Sequence, residues 1–210
     1  IRTCTQAEAD LILEVAARKD AAWLHPEDAV NALKRRTILG LLIGTGLRSY
    51  ELVNLQLCDI EWPSESNAGC YLNLAVTKGN RERVVPVPPS VEAWLRKWIE
   101  TSEQWRDANA VTADYLFHQA DKHVFGKHLD KPMATRSLRF MVERAVKRAL
   151  GEDALDRISP HTFRHLYITE LFERDVPLMI VSKCAGHVNP STTARYTHPS
   201  KQKLYEAVCG

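Results

Sequence analysis

The sequence predicts an α+β fold that is mainly α-helical, with a small antiparallel β-hairpin on one side. Apolar residues recur at helical spacing through most of the chain, between residues that start or stop helices. Two runs of strand-like composition flank Gly79-Asn80, a pair that favours a tight turn. A length of 210 residues, with 45% hydrophobic and 26% charged residues, is typical of one globular domain with its own core.

Three helices are predicted in the first part of the chain. Thr5–Arg18 carries acidic residues early and basic residues late, an order that complements the helix dipole. The second helix starts at Pro26, a favourable first helical residue, runs to Leu42 and is broken by residues 44–46. A third helix is predicted over Leu47–Leu57, because its apolar residues share one face.

The central region is predicted to hold the hairpin and a fourth helix. Tyr71–Thr77 and Arg83–Val87 are the two strands, and Lys78 lies at the mouth of the turn between them. Residues 88–90 open a helix with an apolar core face.

The next region is irregular and then strongly helical. Residues 101–131 show one short strand candidate, Tyr115–Phe117. Thr135–Leu150 is a patterned helix stopped by Gly151. Ser159-Pro160 supplies the N-cap and the first residue of the following helix.

Short helices are predicted to follow one another to the end of the chain. Residues 175–177 end one helix and start another, which Gly186 terminates. Asn189-Pro190 caps a short helix with Tyr196 at its end, and residues 200–208 form the last one.

Basic residues are concentrated in one segment. The formal net charge is only +2, so the total charge does not by itself indicate a polyanionic partner. Residues 131–150 nevertheless hold six basic residues and one acidic residue, a balance that suits a phosphate backbone. A solvated helix face explains the same charges equally well. The candidate DNA contacts are Arg81, Lys131, Arg136, Arg139 and Lys147.

The sequence predicts no disulfide framework, no metal site and no membrane span. The five cysteines are scattered without a C-x-x-C pair, which indicates reduced thiols. His118, His123 and His128 recur every five residues, the wrong step for one helical face, and no further ligand completes a tetrahedral set. The longest apolar run, Ile38–Ile43, is far too short to cross a bilayer.

One group of residue types in this chain fits the metal-free cleavage of a phosphodiester through a covalent intermediate. Arginines are always charged and forked, and they neutralise the phosphate as the transition state forms. A tyrosine is a weak nucleophile until nearby cations favour its ionised form. A lysine supplies a proton to the leaving 5′-oxygen, which departs as a free hydroxyl. The chain holds two arginines, histidines, a lysine and a tyrosine at suitable points.

Short motifs, taken together, carry a resemblance to a known family. Thr45–Leu52 (TGLRSYEL) resembles a T-G-L-R-x-x-E-L box, and Thr77–Gly79 matches a lysine at a β-hairpin. His161–His165 (HTFRH) is similar to an H-x-x-R-H box. Gly186-His187 followed by Ser191–Tyr196 resembles a G-H…S-T-T…Y ending. In this order, and over nearly the whole chain, the motifs resemble the catalytic domain of the tyrosine recombinase (phage-integrase-type) family.

The resemblance implies a role for each matched residue. By this resemblance, Arg48 and Arg164 are phosphate-binding arginines, and Lys78 is the acid for the leaving oxygen. His161 is a donor or proton-transfer group, and His187 contacts the phosphate. Tyr196 is the nucleophile, with Glu51 and His165 in support.

The resemblance also implies the reaction and its setting. Tyr196 attacks a DNA phosphate and leaves a 3′-phosphotyrosyl bond with a free 5′-hydroxyl, and a second hydroxyl reverses the step on another strand. The covalent link keeps the bond energy, so no ATP, metal or other cofactor is expected. The expected partners are double-stranded DNA with specific recombination sites and further copies of the chain in a tetramer, while a monomer is compatible with the DNA-free protein. The expected location is the cytoplasm, at the nucleoid of a bacterial or phage system.

Two features depart from the family pattern. Ala185 stands where the family usually has a leucine before Gly186, which we interpret as a packing variant. The family's N-terminal helical domain, which closes the DNA clamp, has no counterpart before Thr5, and the chain begins with Ile1 rather than Met. We therefore expect residues 1–210 to be a catalytic domain that cleaves or binds DNA weakly by itself.

Other interpretations of the same residues remain open. Taken singly, each catalytic candidate also fits an ordinary role, such as a surface arginine for Arg164 or a helix cap for His161. A type IB topoisomerase would use the same attack to relax supercoiled DNA, and a non-catalytic DNA-binding regulator would use only the basic residues of 131–150. The joint presence of the set favours recombination.

Overall fold

The computed structural model describes residues 3–17, 28–62, 69–74, 82–108, 112–118 and 130–186. These residues form mostly helices with a small antiparallel sheet, which confirms the mainly α-helical α+β prediction. In chain order the elements are α1 (Gln6–Ala17), α2 (Asp28–Thr45), α3 (Ser49–Val53), β1 (Ile60–Glu61), β2 (Tyr71–Leu74), β3 (Arg83–Pro86), α4 (Pro89–Ala108), α5 (Thr135–Leu150), α6 (Pro160–Glu173) and α7 (Leu178–Ala185).

Helix α2 lies at the centre of the helical core. Its residues 38–43 are buried, and it packs against α1, α4 and α6. Leu138 and Val142 of α5 and Phe163 of α6 belong to the same apolar cluster. Burial of such side chains stabilises the fold by roughly 25 cal/mol per Å² of apolar surface removed from water. Because α2 ends just before Arg48, its burial fixes the backbone from which a site residue projects.

The helix boundaries follow the capping residues. In α6, the Ser159 backbone N–H donates to the Thr162 hydroxyl at 3.1 Å, and Pro160 is the first helical residue, as predicted. The predicted end of α2 at Leu42 is wrong, because the helix continues to Thr45. It ends there since Gly46 adopts a φ of +61°, which a helix does not accommodate.

The sheet contains the predicted hairpin strands and one additional strand. β2 and β3 pair antiparallel, with Leu72 opposite Val85. β1 was not predicted, and it pairs antiparallel with β2 to give the order β1-β2-β3. Residues 75–81, which hold the predicted end of the first strand at Thr77 and the predicted turn over 78–81, lie outside the described residues.

The predicted third helix and the short strand after α4 are both wrong in extent. The helix predicted over Leu47–Leu57 ends at Val53, because the following backbone pairs with a distant segment. There the Leu116 N–H donates to the Leu55 carbonyl at 2.8 Å. Within 115–117 only Tyr115 forms a bridge, an isolated one with Gln56, so this segment is not a strand. Pairing between distant segments thus overrides the helix that the local spacing of apolar residues predicts.

Other predictions concern membranes, metals and segments beyond the described ranges. None of the described helices is long and apolar enough to cross a membrane. Within the described residues, no group of three or more His, Cys, Asp or Glu could hold a metal. His118 is buried, whereas His123 and His128 lie outside the described residues. So do the predicted start of α2 at Pro26 and the helices predicted after Gly186.

Candidate active site

The structure describes one part of the predicted site. Arg48, Glu51, His161, Arg164 and His165 lie within the described residues. Lys78, Arg81, His187 and Tyr196 lie outside them.

Arg164 is buried and is not a surface arginine. It lies in the first turns of α6, and only 4% of its surface is exposed. Its Nη1 donates to the Gly46 carbonyl at 2.7 Å, and its Nη2 donates to the Ala185 carbonyl. A buried guanidinium needs such partners, because an unpaired charge in the interior is very costly. These hydrogen bonds fix it between the end of α2 and the end of α7.

Arg48 reaches the same end of α7 from another segment. It directly precedes α3, and its Nη2 donates to the Gly186 carbonyl at 3.1 Å. Because Ala185 and Gly186 are consecutive, the guanidinium groups of Arg48 and Arg164 meet at one place. The negative end of the α7 dipole favours cations there. The Arg48 side chain is 35% exposed, in contrast to the buried Arg164.

Glu51 is a buried carboxylate that two arginines share. Arg83 of β3 binds it through two hydrogen bonds of 2.7 Å, and the backbone N–H and Nη1 of Arg48 each donate to it at 2.7 Å. Burial by itself would raise the pKa of Glu51, because it opposes ionisation. The hydrogen bonds and charge of Arg83 outweigh this effect, together with the hydrogen bonds of Arg48. The pKa of Glu51 is therefore held below its ordinary value. Glu51 is therefore ionised at neutral pH and holds Arg48 in place.

Two histidines of α6 lie beside the arginines. The rings of His161 and His165 meet edge to face, with centroids 4.5 Å apart. Partial loss of solvent lowers the pKa of His161, and the charges of Arg164 and Arg48 lower it further. Partial burial lowers the pKa of His165 most, and the charges of His161 and Arg164 lower it further. Both rings are therefore neutral at pH 7, and each offers one N–H donor and one acceptor.

Two glycines allow this convergence. Gly46 has a φ of +61°, and a Cβ there would overlap the ring of Tyr167. Gly186 has a φ of +59°, and a Cβ there would lie 2.7 Å from Nη1 of Arg83. Both positions therefore require glycine for conformation and for space. The carbonyl of each accepts a hydrogen bond from a site arginine.

Ala185 serves the site through its backbone and the core through its side chain. Its side chain is fully buried with Ile168 and Val181 in the small cluster between α6 and α7. Its carbonyl is the acceptor for Arg164. The burial of the side chain agrees with the interpretation of Ala185 as a packing variant.

An open groove of about 880 Å³ leads from the basic face of α5 to His161. Arg136 and Arg139 line it, together with the exposed Phe140. The guanidinium of Arg136 lies 5.2 Å from the centre of the Phe140 ring. The groove thus combines positive charge with an exposed aromatic ring, and its lining includes His161 and Ser49, the residue that follows Arg48.

The predicted basic contacts of 131–150 are not equivalent. Arg139 pairs with Glu143 at 2.7 Å along α5, and the side chains of both line the groove. Lys147 pairs with Glu152 at 2.7 Å, and neither Lys147 nor Lys131 is among the lining residues. Exposed ion pairs of this kind contribute little, so a phosphate can replace the carboxylate.

Arg48, Arg83 and Arg164 form an arginine cluster at the end of α7, and Arg83 is the member that the sequence did not predict. In β3 the burial alternates, with Arg83 and Val85 turned inward and Val84 and Pro86 outward. A charged residue at an inward position of a strand requires a buried partner. That signal was present in the sequence, but the identity of the partner, Glu51, was not.

The fold and the arginine cluster together define the class of protein. The model of the phage integrase family matches residues 4–203, and the chain belongs to this family. The resemblance to the tyrosine recombinase catalytic domain is confirmed by this match.

Individual relatives agree with this assignment. Tyrosine recombinase XerC of Staphylococcus carnosus is 33% identical over 177 residues, which cover 84% of this chain and 53% of the relative. XerC of Staphylococcus haemolyticus is 34% identical over 182 residues, with coverage of 85% and 53%. The chain therefore spans about half the length of the curated relatives it matches.

Solved structures show the same fold. The XerH site-specific recombinase bound to its difH substrate has a TM-score of 0.77 at 23% identity, covering all of this chain and 54% of that one. The XerA recombinase has a TM-score of 0.70 at 22% identity, with coverage of 98% and 61%. At these identities the likeness concerns the fold alone.

The histidine pair makes the stability of the fold depend on pH. The unfolded chain protonates both imidazoles near their ordinary pKa of 6.5, whereas the folded protein resists protonation to a lower pH. The unfolded state thus binds more protons in that interval, and the free energy of unfolding falls as the pH decreases through and below 6.5. We expect the double variant His161→Gln/His165→Gln to lose less stability than wild type between neutral and mildly acidic pH in urea titrations. Parallel curves for the two proteins would contradict this expectation.

Proposed function

We propose that this chain is the catalytic part of a site-specific DNA recombinase, which cuts and rejoins strands through a 3′-phosphotyrosyl intermediate formed by Tyr196. The observation that carries the proposal is the convergence of Arg48 and Arg164 on the consecutive carbonyls of residues 185 and 186, directly before His187. Membership of the phage integrase family supports the same reaction.

The described residues support a role in transition-state stabilisation. Arg48 and Arg164 are held by protein partners before any substrate is present, so little reorganisation is required when negative charge develops on the phosphate. A phosphate oxygen can replace the Gly186 carbonyl as an acceptor for the partly exposed Arg48. Neutral His161 donates a hydrogen bond to a phosphate oxygen or transfers a proton.

The remaining roles fall on residues outside the described ranges. We assign the protonation of the leaving 5′-oxygen to Lys78, a phosphate contact to His187 and the attack to Tyr196. Arg81 is assigned a DNA contact. The balance of the reaction needs no cofactor, because a P–O bond to the tyrosine replaces the P–O bond to the leaving oxygen and the reverse exchange restores it.

The proposed partner is double-stranded DNA with specific recombination sites. The groove below α5 carries the phosphate backbone past Arg136 and Arg139 towards His161. One neighbour in fold, the XerH recombinase, is described as bound to its substrate difH. We propose a tetramer of the whole protein on two duplexes, acting at the nucleoid in a bacterial or phage setting.

The nucleophile assignment has a direct test. Wild-type protein incubated with nicked duplex should form an adduct that resists SDS and persists in EDTA, because the tyrosyl ester is covalent and its formation needs no metal. Tyr196→Phe removes the attacking oxygen and should abolish the adduct, which gel electrophoresis of labelled DNA detects. An equal yield from Tyr196→Phe would refute the assignment. Relaxation of supercoiled plasmid that lacks paired sites would favour the topoisomerase alternative.

Arg48 should act on the rate more than on binding. Arg48→Ala removes a charge-assisted contact that is strongest in the transition state, worth on the order of 3 kcal/mol or 100-fold in rate. We expect single-turnover cleavage to fall by about that factor while DNA affinity, measured by gel shift, changes less than about tenfold. Arg48→Lys, which keeps the charge without the fork, should be intermediate. Equal losses of rate and affinity would contradict the transition-state role.

The basic residues of the groove should act on binding and on its salt dependence. Arg139→Ala should weaken binding to specific and unrelated DNA alike, and should reduce the slope of log affinity against log salt by about 1. Arg96→Ala is the matched control, because Arg96 forms a similar exposed pair with Glu92 on α4 and does not line the groove. An unchanged slope in Arg139→Ala, or the same change in both variants, would contradict the groove as the DNA path.

A further inference from the structure

Arg83 is the cluster member that binds Glu51 with both arms of its guanidinium, and it is buried. Its side chain is 4% exposed. Nη1 donates to Oε1 of Glu51 and Nη2 donates to Oε2, each at 2.7 Å. This fork-to-carboxylate arrangement is the strongest and most directional form of ion pair.

The hydrogen bonds of Arg83 complete the coordination of the Glu51 carboxylate. Oε1 also accepts from Nη1 of Arg48, and Oε2 also accepts from the Arg48 backbone N–H. Two carboxylate oxygens offer about four lone-pair positions. All four are used, so the carboxylate cannot rotate without losing a hydrogen bond to one of the arginines.

Arg83 also contacts the backbone that receives Arg48. A Cβ at Gly186 would lie 2.7 Å from Nη1 and 2.9 Å from Cδ of Arg83, so the guanidinium packs directly on this glycine. The carbonyl of Gly186 is the second acceptor of Arg48. Arg83 therefore supports both anchors of the Arg48 guanidinium, one on Glu51 and one at the end of α7.

The charges of these three side chains explain why a second arginine is needed. An ionised Glu51 beside Arg48 makes that pair electrically neutral, which weakens its attraction for a phosphate. Arg83 adds one buried positive charge and leaves the trio with a net charge of about +1, from two guanidiniums and one carboxylate. Stability alone does not account for the arrangement, since a buried ion pair is often no more stabilising than an apolar pair of the same shape.

We propose that Arg83 is a positioning residue for the strand-cleavage reaction, which orients the Arg48 guanidinium through Glu51 and Gly186 and offsets the charge of Glu51. The inference rests on the proposed function for its effect on cleavage. The positioning itself is a property of the protein without DNA. Arg83 begins β3 and thus belongs to the strand that follows residues 75–81, so it also links Arg48 to the segment that carries Lys78.

The test compares three variants of the intact natural protein. Arg83→Met removes the charge and the fork at similar length, and Arg83→Lys keeps the charge without the fork. Val85→Ala is the control, because Val85 is the next inward residue of β3, is fully buried and belongs to the apolar core. Urea titrations measure the free energy of unfolding of each variant. Cleavage rates are then compared between variants that have lost similar amounts of stability.

The first measurement needs no catalysis. ¹⁵N relaxation of the Arg48 Nε–H group, assigned with Arg48→Lys, reports whether this side chain is held. We expect the group to lose order in Arg83→Met, to keep part of it in Arg83→Lys and to remain ordered in Val85→Ala. An Arg48 side chain as ordered in both Arg83 variants as in wild type would overturn the positioning role, whatever the cleavage rates are.

The second measurement tests whether Arg83 contributes to strand cleavage. We expect Arg83→Met to slow single-turnover cleavage about 10- to 100-fold with a much smaller change in DNA affinity, and Arg83→Lys to recover part of the rate. In protein that already carries Arg48→Ala, Arg83→Met should slow cleavage little further, because the two residues act as one unit. Multiplicative losses, or an equal drop in Val85→Ala, would overturn the role in cleavage. A wild-type protein that forms no adduct would refute the proposed function, while the relaxation measurement would still decide the positioning.

Discussion

Two guanidinium groups of like charge are held close together at the end of α7, and the rest of the site depends on how the protein stabilises them. Arg164 donates to the carbonyl of Gly46, just after α2, and to that of Ala185, the last residue of α7. Arg48 donates to the carbonyl of Gly186, just after α7, and to the carboxylate of Glu51. Neither solution leaves a buried charge unpaired. The arrangement places positive charge at a surface that faces solvent without using any external ligand.

The core is arranged to bring these groups together. Helix α2 packs against α1, α4 and α6, and it ends at a glycine whose φ turns the chain towards Arg48. Helix α7 packs on α6 and β3, and it also ends at a glycine with a positive φ. The two chain reversals direct backbone carbonyls towards the arginines. A rigid scaffold of this kind is what electrostatic stabilisation of a transition state requires, since preformed dipoles need little reorganisation.

Local sequence patterns predicted those elements whose stability is local. The boundaries of α5 and α6 agree with prediction, because Gly151 and Ser159-Pro160 act on their own neighbours in the chain. The third helix was predicted too long and β1 was missed, because Leu55 pairs with Leu116 and Ile60 pairs with Leu72. Those partners are far along the chain, and a periodic pattern of apolar residues contains no information about them.

The sequence by itself determined the family, the residue types of the site and their order, since T-G-L-R, H-x-x-R-H and the G-H…Y ending are readable without coordinates. Only the tertiary structure decided that Arg164 is buried, that Arg48 and Arg164 share the end of α7, and that Arg83 binds Glu51. The physical reason is that a charge in the interior is tolerated only beside its partner. Which residue becomes that partner depends on contacts between segments that are remote in the chain.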